Sequence, residues 1–167
     1  MKEKQLPVQK VGSANEPMLC IPLYVLTKEY IKIYKDALKK INLTFTQYIV
    51  MVALWKQKEM KVKEIGRCLF LDSGTLTPVL KKLEAKCFVL RSRSDQDARD
   101  LCISLTESGE KLLEDALLVR ENLMEKFGTR KRKSERIQEL LTELIGLLSE
   151  EYEERAGREF RVLSIEK

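Results

Sequence analysis

A cysteine between two prolines is the first place where this chain could do chemistry. Cys20 lies in the stretch "PMLCIPLYV", three residues after Pro17 and two before Pro22. Proline suits the first turn of a helix and costs about 3 kcal/mol or more in a helix interior. The pair therefore places a helix start at or between the two prolines, with Cys20 in the first turn. There the helix dipole and the free N–H groups favour a thiolate, the form that attacks a peroxide. Oxidation would give a sulfenic acid, which a small thiol or another cysteine must cap if it is to persist. The plainer reading of a free cysteine is a small buried hydrophobe. Cys68 and Cys102, in apolar segments, fit that plainer reading, and Cys87 is intermediate.

The rest of the composition narrows the chemistry further. The 167 residues include four cysteines, at 20, 68, 87 and 102, and no histidine. No pair forms a C-x-x-C, so no zinc-ligand spacing exists and neither metal nor cofactor is expected. The usual catalytic base is missing, which weakens any enzyme reading. The net charge of +5 permits a polyanionic partner without requiring one. No apolar run is long enough to span a membrane. The opening "MKEKQLPVQKVGSANEP" is polar and lacks the apolar core of a leader, so residues 1–16 read as a flexible arm and the protein as cytoplasmic, with reduced thiols.

The elements that would position Cys20 follow from periodicity. Apolar residues from Leu19 to Ile41 recur at helical spacing over about 18–41, and Asn42 ends the run. Thr44 and Gln47 make a capping box for a second, nearly all-apolar helix. "KVKEIGRCLFL" is a short third helix. A fourth, capped by Asp72 or Ser73, turns Leu76, Val79, Leu80 and Leu83 inward, and Pro78 is tolerated near its start. The period then changes to two strands, "FVLRSRS" and "DLCISLT", around the polar turn "DQDAR". Thr106 caps a fifth helix that breaks at Gly128. "TRKRK" is a charged loop, and Ser134 caps a sixth helix.

A short helix, a turn and a polar-fronted helix make a helix-turn-helix, and the ribbon after it is a wing. The fold class is mainly α: a winged helix-turn-helix over about 44–105 within a domain of 17–154. Long N- and C-terminal helices (about 18–41 and 106–154) have broad apolar faces that predict a dimer interface. Residues 155–167 form a tail.

In such a motif the second helix reads the major groove with its N-terminal residues. Here those are Asp72, Ser73, Gly74, Thr75 and Thr77, with Lys81 and Lys82 on the outer side. Arg91, Arg93 and Arg99 sit on the wing, where arginine can enter the narrow minor groove, and Asp97 could hold the Arg99 guanidinium in one pose. The plainer readings are a capped amphipathic helix and a solvated charged hairpin.

"LDSGTLTPVLKKLEAK" and "RSRSDQDARDLCISLTESG" together resemble the MarR family of winged-helix regulators. Asp97-x-Arg99, with Leu105 and Thr106, looks like that family's wing signature. "LCIPLYVLTKEYIKIYKDAL" and "INLTFTQYIVMVALW" resemble its OhrR group of organic-hydroperoxide sensors more narrowly. The resemblance covers about Leu19 to Gly109. It implies a homodimer on an inverted-repeat operator in double-stranded DNA, a repressor by habit. It also implies that Cys20 is the cysteine oxidised by organic hydroperoxides and then capped by a small thiol. Tyr24 and Tyr34 match two tyrosines that hydrogen-bond the thiolate in the dimer. The third such position is Phe45, which lacks the hydroxyl. Cys87 stands where relatives carry glycine, and no resolving cysteine is matched after Gly109, which implies the one-cysteine type.

Other readings stay open at this point. A winged-helix regulator could respond to a small ligand with no thiol chemistry. A thiol peroxidase using Cys20 would need a resolving partner, and a protein-binding scaffold would leave the wing arginines without a use.

Overall fold

The computed structural model describes residues 19–93, 101–126 and 131–156. The chain runs α1 (Cys20–Lys39), α2 (Phe45–Gln57), β1 (Glu59–Lys61), α3 (Val62–Leu69), α4 (Ser73–Ala85), β2 (Val89–Arg93), β3 (Leu101–Leu105), α5 (Glu107–Lys126) and α6 (Lys131–Ala156). Helices α3 and α4 with the β2–β3 ribbon form the winged helix.

Local chemistry explains most boundaries. The Gln47 N–H donates to Thr44 Oγ1 at 3.3 Å while the Thr44 N–H donates to Gln47 Oε1 at 3.1 Å, closing the expected capping box. Asp72 is the cap of α4: its Oδ1 accepts from the Thr75 N–H at 2.9 Å. At α5, Thr106 Oγ1 accepts from the Gly109 N–H at 3.0 Å.

Three helices end in one way. Asn42, Phe70 and Cys87 have φ of 56°, 51° and 58°. In each case the next residue's N–H reaches back to the carbonyl five residues earlier: Leu43 to Leu38, Leu71 to Gly66, and Phe88 to Leu83. This is the Schellman turn, whose left-handed position glycine normally fills. Cys87 therefore occupies the left-handed cap that its neighbourhood demands, with the strain that a side chain brings there.

The core lies between α2, α4, the sheet and α5. Leu38, Met51, Leu54, Ile65, Leu76, Leu80, Leu83 and Ile103 are fully buried in it. The Trp55 indole N–H crosses to α5 and donates to the Gly109 carbonyl at 2.8 Å. Gly109 is required there, because a Cβ would overlap the Phe88 carbonyl oxygen.

The structure corrects two boundaries. The wing ribbon belongs to a three-stranded antiparallel sheet of order β1-β3-β2, with Met60 opposite Ile103. The expected ribbon had only two strands. Helix α6 begins at Lys131, so Ser134 is inside the helix rather than its cap, and the last three residues of "TRKRK" are helical rather than loop. The expected turn "DQDAR" lies outside the described residues, as do the break at Gly128 and the arm at 1–16; of the expected tail 155–167, residues 155–156 are the end of α6 and the rest lies outside them.

Candidate nucleic-acid interface and thiol site

Helix α4 presents one polar edge. Ser73, Gly74, Thr75, Thr77, Lys81 and Lys82 are all exposed, opposite the buried Leu76, Leu80 and Leu83. Asp72 is exposed too, yet both its oxygens are engaged: Oδ2 accepts from Thr75 Oγ1 at 2.9 Å. Those bonds from Thr75 hold the Asp72 carboxyl below the usual range. Asp72 and Thr75 thus fix the helix start, leaving Ser73, Gly74 and Thr77 as the open positions of the first turns. The Asp72 carboxylate is itself the anion at this helix start, and no further acidic side chain stands in the first turn.

On the wing, Arg93 is exposed at the end of β2. Arg91 is partly covered and its guanidinium lies 3.5 Å from the Glu84 carboxylate on α4. The pair ties the wing to the helix. Asp97 and Arg99 lie outside the described residues.

The thiol end is built differently. Cys20 is the first residue of α1 and is exposed. Pro22 stands in that first turn, where its missing N–H breaks no helix bond. Tyr24, one turn on, is 63% exposed, and its hydroxyl accepts from Lys28 Nζ at 3.3 Å. Tyr34 is buried. At 1.5 Å rise per residue, fourteen residues put it about 21 Å along the helix from Cys20. Within one chain the structure therefore brings Tyr34 and Phe45 together, with ring centroids 5.5 Å apart, and leaves Cys20 and Tyr24 at the other end of α1.

Tyr34 and Phe45 belong to an aromatic layer with Tyr30, Tyr48 and Trp55. The Tyr30 and Tyr34 hydroxyls are 3.3 Å apart. Burial, reinforced by the Tyr30 hydroxyl, pushes the Tyr34 phenol well above its ordinary value. Burial likewise raises Tyr48. Tyr30 is one of the apolar-face positions of the periodic run from Leu19 to Ile41, which by itself gives it no further role. Its spacing of four from Tyr34 was the signal that both hydroxyls share one face.

The remaining cysteines separate by burial: Cys102 is buried, Cys68 half-buried against the core, and Cys87 exposed. No described helix is long and apolar enough to cross a membrane.

Comparison with known proteins adds the family. Residues 32–116 match the model of the transcriptional regulators SarA/Rot. The regulator SarZ of Staphylococcus epidermidis is 53% identical over 92 residues, which is 55% of this chain and 62% of SarZ. The chain thus matches less than two thirds of SarZ's length. The organic hydroperoxide resistance regulator of Bacillus subtilis is 40% identical over 133 residues, 80% of this chain and 88% of that protein. The solved structure of AbfR from Staphylococcus epidermidis is 33% identical with a TM-score of 0.70, covering 79% of this chain and 91% of AbfR. AbfR has also been solved in its reduced form bound to DNA, at 32% identity and a TM-score of 0.66 over 78% of this chain and 91% of AbfR. The winged helix, the thiol at the head of α1 and these matches converge: the chain belongs to the MarR-type winged-helix transcriptional regulators, in the branch of the OhrR and SarA/Rot proteins.

Proposed function

We propose that the protein is a homodimeric repressor that binds an inverted-repeat operator and is released when an organic hydroperoxide oxidises Cys20. The observation that carries this reading is the division of α1. Its exposed thiol is at one end, the buried Tyr34 is at the other, and apolar side chains stand uncovered between them: Ile21, Leu26, Ile31 and Ile33. A second copy laid antiparallel along this helix would cover those side chains and bring the partner's Tyr34 toward Cys20. The B. subtilis relative, named for organic hydroperoxide resistance, and the DNA-bound reduced AbfR support the same assignment.

The chemistry balances without a metal. The Cys20 thiolate attacks the distal peroxide oxygen and the O–O bond breaks. The alkoxide leaves and takes up a proton as an alcohol, and Cys20 becomes a sulfenic acid. A small thiol then condenses with it, giving a mixed disulfide and water. Tyr24, within a turn of the sulfur, is placed to donate to it. Ser73, Gly74, Thr77, Lys81 and Lys82 face the major groove, and Arg93, with Asp97 and Arg99, serves the wing contact. Asp72 and Thr75 hold the helix start, and Arg91 divides itself between Glu84 and the DNA. Two recognition helices must sit one DNA turn apart, about 34–36 Å. A bulky adduct at the dimer seam changes that spacing and loses both half-sites together.

The test is fluorescence anisotropy on an inverted-repeat fragment at fixed salt. Reduced protein, protein treated with cumene hydroperoxide plus a small thiol, and treated Cys20→Ser are compared. Release of the wild type alone is expected. Equal release of the Ser variant, or none of the wild type, rejects Cys20 as sensor. A ligand-responsive regulator is the second reading. One observation favours it: Phe45 puts no hydroxyl into the tyrosine layer.

A further inference from the structure

The recognition helix α4 is fastened at its C-terminal end by one cation. Lys86, the residue after α4, donates from Nζ to the Asn42 carbonyl at 2.6 Å and to Gln47 Oε1 at 2.9 Å. Asn42 is the left-handed residue that closes α1. Gln47 is only 2% exposed, is the one buried polar side chain among the described residues, and already holds the Thr44 cap of α2. Three helix ends therefore meet on a single ammonium. On the far side of the same turn, the Cys87 carbonyl accepts from Thr106 Oγ1 at the head of α5.

The acceptors of Lys86 are tied to the aromatic layer. Gln47 is two residues beyond Phe45 on the first turns of α2. Asn42 follows the turn closed by the Leu38 carbonyl, one helical turn beyond Tyr34. Tyr34 packs on both Phe45 and Tyr48, at 5.5 and 5.7 Å between centroids. Tyr34 is thus linked along α1 to one acceptor of Lys86 and through Phe45 to the other. The apolar contacts of Leu80 and Leu83 are non-directional and tolerate sliding, whereas hydrogen bonds to two fixed oxygens set an angle.

We infer that Lys86 is a positioning residue that carries rearrangement of the Tyr34–Phe45 layer to the recognition helix, by holding the end of α4 against the α1–α2 corner. This rests on the proposed function, because it supplies the path from thiol oxidation to DNA release. Partial burial, with Lys82 nearby, lowers the Lys86 pKa, as expected of a cation drawn in from solvent.

The test uses the full chain and the ratio of operator Kd after oxidation to Kd before it. A merely structural role weakens both states alike and leaves that ratio unchanged. In Lys86→Met the ratio is expected to fall by roughly tenfold or more, within the range of allosteric couplings. Lys86→Gln, which keeps a polar end, covers the case in which the Met variant does not fold, and Lys86→Arg is expected to restore the ratio. A wild-type ratio in a folded Met or Gln variant overturns the inference while leaving the proposed function intact. A wild type whose affinity does not change on oxidation rejects the proposed function and the inference with it.

Discussion

Helices α1 and α2 are neighbours in sequence and both rich in apolar residues, yet they are buried very differently. In α2, seven of thirteen side chains are buried, while in α1 only Tyr34 and Leu38 of twenty are. Helix α6 goes further: none of its described side chains is buried, and Ile137, Leu140, Leu141, Leu147 and Leu148 are exposed. One region covers most of its own apolar side chains, with Tyr34 and Leu38 of α1 sharing its core. The other exposes far more apolar surface than a lone soluble chain keeps, the signature of an interface. On the proposed function, reading DNA falls to the first region and sensing to the second, which a second copy would complete.

The sharpest way to break that contrast is a truncation on each side. Leu54→Ala should cost about 3 kcal/mol, within the 2–5 typical of buried leucine, whereas Leu26→Ala should leave monomer stability almost untouched. Urea unfolding of both variants at low protein concentration decides it. Next in size is the pair Leu140→Glu with Leu147→Glu. Sedimentation should find monomers, and operator affinity should fall by about a hundredfold or more once half-sites are no longer bound together. An unchanged dimer would move the interface away from α6.

Smaller effects sharpen the picture inside the first region. Cys87→Gly should stabilise by about 1 kcal/mol, by relieving a left-handed side chain at a Schellman turn, and should leave oxidant release as in the wild type. A loss of release would give Cys87 a part in sensing. The smallest effect is at Asp72. Its carboxyl pKa is depressed in the folded state, so the cap contributes fully above the unfolded pKa of about 3.9 and fades as pH falls through the lower folded value. Melting curves of wild type and Asp72→Ala should therefore converge as the pH falls past the lowered folded value, and a gap that persisted in acid would assign the cap to something other than the ionised carboxylate.

What could be read in advance was what is local. The Thr44–Gln47 box, the stop at Asn42 and the Asp72 cap each depend on a few adjacent residues. The head of α1 was legible because two prolines bracket it. Strand β1 was not: Glu59–Lys61 holds one apolar residue, no alternation can show in three positions, and its partner lies more than forty residues on. Ser134 looked like a cap because capping is a side-chain preference, but the basic residues before it are equally good helix formers, and α6 extends through them. The Lys86 junction depends on two left-handed turns meeting in space, and a lysine in a run of charged residues gives no sign of that. Arg91 is similar, since only the packed structure shows Glu84 beside it.

Trp55 is the only tryptophan of the chain, and it is buried where α2 meets the first turn of α5. Its indole is hydrogen-bonded to Gly109, fastening α2 to the head of α5. The protein therefore carries its own fluorophore at the joint between α2 and α5. Emission that keeps its wavelength through oxidation means that the reading domain swings as a rigid body. Emission that shifts means that the joint itself opens.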